Sequence, residues 1–158
     1  MAEINIEALD HLKIILQILV PDFSATDIDC FVIVNPLHFA PSGIGGLVGI
    51  NANNDNEIYG VKVNAQVNIT LQAQSREEIN NALATVSGAL TGAEKKVLKE
   101  QGILEISLEK IDDLLSHNKG QKTYMSIDLI FKLLFEYLKV PESGGDIIQE
   151  IPTSVGLN

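Results

Sequence analysis

The stretch Val61-Lys62-Val63-Asn64-Ala65-Gln66-Val67-Asn68-Ile69-Thr70-Leu71-Gln72-Ala73 decides the fold. Every odd position is apolar and every even one polar. Successive side chains of a strand point to opposite faces, so this run predicts one strand with one buried and one exposed face. At about 3.3 Å per residue it would span roughly 43 Å, far beyond the usual strand of about 5–6 residues. The polar face is nearly all amide and hydroxyl, with only Lys62 charged. A freely solvated face usually carries more charge, whereas an uncharged hydrogen-bonding face suits contact with another protein surface. Asn64, Gln66, Asn68, Thr70 and Gln72 are therefore candidate assembly-interface residues. The plain alternative for each is a solvated strand position.

Upstream, Leu9, Leu12, Leu16 and Leu19 recur at helical spacing, with Ile4 and Ile15 alongside, and Pro21 closes that helix. Phe31-Val32-Ile33-Val34 reads as a short buried strand stopped by Asn35-Pro36. Residues 41–56, with Gly43, Gly45, Gly46 and Gly49, read as a long mobile loop, which a short strand at Leu47 to Ile50 interrupts. Downstream, Ser75-Arg76-Glu77-Glu78 is a capping box, and Ile79, Ala82, Leu83, Val86 and Leu90 form a helical stripe behind it, stopped at Gly92. Thr91 and Glu94 suggest a second capping box for a short helix from Ala93 to Gln101, closed by Gly102. Leu104, Ile106 and Leu108 alternate with polar residues as a further strand, and Asp112 to Gln121 reads as loop. Lys122 to Leu138 fits either period; a strand to about Glu136 is preferred, because its alternation starts earlier and needs no cap. Val140 to Asn158 holds Pro141, Gly144, Gly145 and Pro152, with a small apolar anchor at Ile147, Ile148 and Ile151.

The expected class is α+β. About four strands form a small mixed, mostly antiparallel sheet, with the N-terminal helix and one or two helices packed on one face. Residues 1–139 make a single domain, and residues 140–158 an extended C-terminal arm. One domain is also the default for 158 residues.

The charge narrows the function. Eleven Lys+Arg stand against 21 Asp+Glu, for a net charge of -10, and Arg76 is the one arginine. Gripping nucleic acid needs a positive patch, and reading bases leans on arginine. No apolar run approaches the roughly 18–20 residues of a membrane helix, so no membrane partner is expected. Cys30 is the one cysteine. With no secretory leader in the first residues, a reduced intracellular site of synthesis is expected.

Catalytic chemistry is sparse. The run Gly43 to Gly49 misses the dinucleotide fingerprint, having Val48 where the third glycine belongs. Asn51 to Glu57 offers oxygen ligands like a calcium loop, but Asn56 replaces the glycine and Lys62 the terminal acid. His11, His38 and His117 lie on different elements without metal-ligand spacing. No catalytic, cofactor-binding or metal-binding residue is assigned, and the expectation is a protein without enzyme activity.

The order of elements adds a resemblance. Tyr59 to Leu71, then Ser75-Arg76-Glu77-Glu78 and the helix ending Ala89-Leu90-Thr91-Gly92, look like the tail terminator proteins of long-tailed bacteriophages and phage-tail-like particles. Gly102 to Lys110 and Lys122 to Phe135 match that family's closing strand pair, and the resemblance covers about Ala2 to Leu138. The Ala93–Gln101 segment looks like an insertion, and the chain after Val140 is longer than the family's core needs.

The resemblance implies a virion protein of the tail end or neck, made in the host cytoplasm. It would form a homohexameric ring on the finished tail tube, stop tube polymerisation and dock the neck or head-completion protein. DNA would only pass, unbound, through an acidic lumen. Ile147, Ile148 and Ile151 join the candidate interface as an arm embracing a neighbour. Two alternatives stay open: another neck, tube-end or baseplate subunit, and a stand-alone small-ligand-binding domain or enzyme using Ser42 to Asn56 as a lid over the sheet.

Overall fold

The computed structural model describes residues 2–51 and 56–139. Its elements run α1 (Ala2–Leu19), β1 (Asp29–Pro41), β2 (Leu47–Ile50), β3 (Glu57–Ala73), α2 (Arg76–Thr91), α3 (Lys95–Glu100), β4 (Ile103–Ile111), β5 (Leu115–Lys119) and β6 (Lys122–Lys139). The class is α+β. The sheet has six strands rather than about four, in the order β1-β3-β6-β4, with β2 beside β3 and β5 beside β6. Every pairing among the described strands is antiparallel, so the sheet is not mixed.

Two long strands carry the architecture. β3 pairs with β6 from Tyr59↔Lys139 to Ala73↔Met125 without a register shift. On β3 every odd position from Val61 to Ala73 is buried. These residues form one apolar cluster with Ala8, Leu12, Ile15 and Leu16 of α1, Ile79, Ala82, Val86 and Leu90 of α2, and Leu129, Phe131, Leu133 and Phe135 of β6. The strand reading of Lys122 to about Glu136 thus holds, and the strand continues to Lys139. The alternation at 129, 131, 133 and 135 joins the helix-facing side of β3, as the pleat requires.

The start of α2 follows the capping-box reading with one variation. Ser75 Oγ accepts the Glu78 amide N–H at 3.2 Å and donates its own proton to Glu78 Oε1 at 3.0 Å. The second box does not form. Thr91 is the last residue of α2 and its hydroxyl donates to the Ser87 carbonyl at 2.6 Å, while α3 starts from Glu94 with no side-chain cap. The hydroxyl back-bonds to its own helix instead of capping the next one, a competition open to any threonine in a last turn.

Two strand readings change. β1 does not stop at Asn35-Pro36; it runs to Pro41, with a register shift between Pro36 and His38. Proline is tolerated because β1 is an edge strand with a bulge, so the missing N–H faces no partner. The region Asp112 to Gln121, read as loop, contains β5, which closes a hairpin onto β6 through Gly120-Gln121, with Gly120 at φ +64°. Its sequence, Leu-Ser-His-Asn-Lys, is too polar and short to announce a strand. At the far end of β6, Lys139 Nζ meets Glu7 Oε1 at 2.7 Å and pins that strand end to α1.

Candidate functional site: the open face of the sheet

The even positions of β3 form the face turned away from the apolar cluster. Asn64, Gln66, Asn68, Thr70 and Gln72 come together there as a ribbon of half-buried amides and a hydroxyl. Residues directly opposite in an antiparallel ladder share a face. On the β6 side the ribbon is therefore flanked by Leu134, Lys132, Ile130, Asp128 and Ser126. On the β1 side it is flanked by His38, Asn35, Ile33, Phe31 and Asp29.

Three of the five ribbon residues make side-chain hydrogen bonds. Thr70 Oγ1 donates to Asp128 Oδ1 at 2.6 Å, and Gln66 Nε2 reaches Asn68 Oδ1 at 3.4 Å. His117 of β5 is a diagonal neighbour of Ser126 in the β5–β6 ladder, and its Nε2 lies 2.8 Å from the buried Ser126 Oγ.

Sequence reading missed the apolar half of this face. Phe31 and Ile33 belong to a run expected to be buried, yet they are 53% and 56% exposed and stand opposite Thr70 and Asn68. Only Val32 and Val34 of that run turn toward the core, where they are half-buried. A continuous apolar run does not announce which alternate members face in; the pairing with β3 does. Together the face offers aromatic and aliphatic side chains beside a strip of amides, with Lys132, Asp128 and Asp29 along the strip's margins. A second exposed apolar set, Ile6, Ile14 and Ile18, lies on α1 away from its buried residues. Ile147, Ile148 and Ile151, the remaining candidates, lie outside the described residues.

A separate cleft of about 500 Å³ lies between the start of α1, the end of β1 and the glycine-rich turn, lined among others by Ile4, Phe39, Pro41, Tyr59 and Val61. Its polar fittings are partly engaged. Lys139 is paired with Glu7, and the Tyr59 hydroxyl bonds the Glu57 carboxylate.

Cys30 is half-buried, and desolvation raises its thiol pKa, the reverse of what a reactive thiolate needs. The His11 ring stands beside Phe135 and Tyr137, with centroids 6.1 and 5.4 Å away, and partial desolvation on that side lowers the pKa of an otherwise exposed residue. Among the described residues no group of three or more His, Cys, Asp or Glu is placed to hold a metal ion, and no helix is long and apolar enough to cross a membrane.

Fold and site together define an α+β domain whose sheet has one face built into the core and one face open. No protein-family model matches the chain, and no curated protein matches it.

Proposed function

We propose that this chain is a ring-forming structural subunit that caps the tail tube of a phage or phage-like particle. In this reading it ends tube polymerisation and presents a docking surface to the neck or head-completion protein. The observation that carries the reading is the open sheet face. An uncharged strip from Asn64 to Gln72 lies beside exposed Phe31 and Ile33, on a strand far longer than a small domain needs. The order of elements supports it, since helix, strand, long strand, capped helix and closing strands follow the pattern of tail terminators. The net charge of -10 supports a lumen that lets DNA pass without holding it. On this reading the self-contact uses Asn64, Gln66, Asn68, Thr70 and Gln72.

Electron microscopy of the purified protein, alone and with tail tubes, tests this. Rings, or density confined to one tube end, are expected. Native mass spectrometry showing only monomer at micromolar concentration, with no shift on adding tubes, refutes it. Density at a baseplate or elsewhere in the neck would assign the chain to that part of the particle instead.

A second reading rests on the cleft beside Gly45 and Gly46: a small-ligand domain using the glycine-rich turn as a lid. A thermal-shift screen of metals, nucleotides and metabolites decides it, because a ligand bound well above its Kd stabilises the fold by several kcal/mol (roughly 3–4 at 100–1,000 Kd).

A further inference from the structure

Among the described strands β1 pairs only with β3, so its other side is an edge of the sheet. Natural sheets blunt such edges with lysine, proline or a bulge. From Asp29 to Asn35 β1 has none of these; Pro36 and the register shift come after that run. At the opposite edge, β4 carries two register shifts together with Glu105, Glu109 and Lys110. We propose that β1 is a homodimer edge: the runs from Asp29 to Asn35 of two copies pair antiparallel about a two-fold axis at Val32 and join two sheets into one.

The direction of the backbone groups selects that register. The Ser42 amide N–H donates to the Gly60 carbonyl at 2.9 Å, one step beyond the pair Pro41↔Val61. Even positions of β3 thus aim their backbone groups at β1, and this alternates along an antiparallel ladder. The far side of the sheet agrees. The Glu136 amide N–H donates to the Gly102 carbonyl, so even positions of β6 aim away from β3. Asp29, Phe31, Ile33 and Asn35 therefore use their backbone groups on β3, whereas Cys30, Val32 and Val34 aim theirs outward. Among the described residues no backbone bond outside the ladders reaches those three.

An axis at Val32 sets Val32 against Val32 of the second copy, and Cys30 against its Val34. All three outward-facing residues then find hydrogen-bonded partners. An axis at Ile33 sets Pro36, which has no N–H, against Cys30, and an axis at Phe31 sets Val34 against Ile28, which precedes the strand. The side chains favour the same choice. Exposed Phe31 meets exposed Ile33 of the second copy, an aromatic on a β-branched residue. Asp29, the one charge in the run, meets Asn35, so two chains of net charge -10 bring no like charges together across the pair. On the helix side, a hollow of about 470 Å³ lined by Val20, Phe23, Ile28, Cys30 and Val32 runs beside the edge and receives the second copy's Val34.

The inference does not rest on the ring reading. Dimers without rings keep it, and rings that ignore a change at Val32 lose it. One strand pair is a small interface, so sedimentation equilibrium of the full chain is expected to show reversible dimers at micromolar concentration. Monomer alone up to the high micromolar range overturns the proposal. Val32→Pro removes an N–H that faces outward in the monomer and crosses the axis in the dimer. It should weaken dimerisation roughly 10–100-fold and leave the far-UV circular dichroism that of the wild type. Unchanged dimerisation overturns the proposal.

Covalent trapping reads the register without that variant. Opposed Cα atoms of a hydrogen-bonded pair lie about 5.5 Å apart, within disulfide reach. Val34→Cys, oxidised with diamide, is expected to give a dimer in which Cys30 of one copy is linked to the introduced cysteine of the other, as read by peptide mapping. Within one chain those positions lie about 13 Å apart along the strand, too far to bridge. No linked dimer, or links joining only Cys30 to Cys30 or the two introduced cysteines to each other, overturns the proposal.

Discussion

Gly102 tests the junction between α3 and the sheet. It sits at φ +93°, where a side chain is strained, and a Cβ built there would lie 2.7 Å from Phe135 Cε1 and 2.8 Å from the Glu136 carbonyl oxygen. It cannot easily retreat, because its own carbonyl accepts the Glu136 amide N–H at 2.9 Å. Gly102→Ala therefore suffers twice. The left-handed backbone costs about 1–2 kcal/mol, and forcing a methyl against the buried Phe135 ring adds about 1–3 kcal/mol.

Gly120 provides the control. Its φ is +64°, yet a Cβ there meets no atom within 4 Å. Gly120→Ala should lose only the backbone part, about 1–2 kcal/mol. Urea denaturation of the two variants isolates the clash as the difference, about 1–3 kcal/mol. Equal losses would mean that Phe135 yields freely, and that the close packing between the Gly102 turn and β6 does not constrain the fold.

Three further outcomes are expected. Val67→Asp places an unpaired carboxylate in the core and should cost several kcal/mol (roughly 3–5), whereas Asn68→Asp on the open face should leave Tm nearly unchanged and weaken self-association. Equal thermal losses in that pair would reverse the assignment of faces. Gly88→Ala, in the exposed interior of α2 with open space around its Cβ, should raise stability by about 0.5–1 kcal/mol by thermal melt; a loss would reveal an unseen packing constraint there. Partial desolvation lowers the His11 pKa from its ordinary 6.5, so the unfolded chain binds that proton more readily. Stability tied to His11 is whole above about pH 6.5 and is lost as the pH falls through that value toward the lowered one. Denaturation midpoints at pH 7.5 and 5.5 should therefore fall further in the wild type than in His11→Leu, and equal slopes would remove His11 as the cause.

The long alternating run was legible because a period of two over thirteen residues has one structural solution, and the Ser75 cap because its hydroxyl acts on its own helix. What escaped the sequence depends on neighbours distant in the chain. Pro36 looked like a stop because nothing local says that β1 lies at an edge. β5 was invisible because its partner, β6, supplies the apolar surface. Thr91 could serve either of two helices, and only geometry chose. The polar half of the open face was readable from β3 alone, whereas Phe31 and Ile33 become visible only once the β1–β3 register is known.

The pairing of β3 with β6 also sets an order of events during synthesis. Ala65 pairs with Leu133, 68 residues later in the chain. At about 5–20 residues per second, the ribosome needs roughly 3–14 s to deliver that partner. Through that interval β3 has α1, β1 and α2 available but lacks the neighbour with which it forms its longest ladder. The domain therefore completes its core only when nearly all of β6 has emerged, and a nascent chain stalled before Lys122 would present the β3 edge to any other strand in reach.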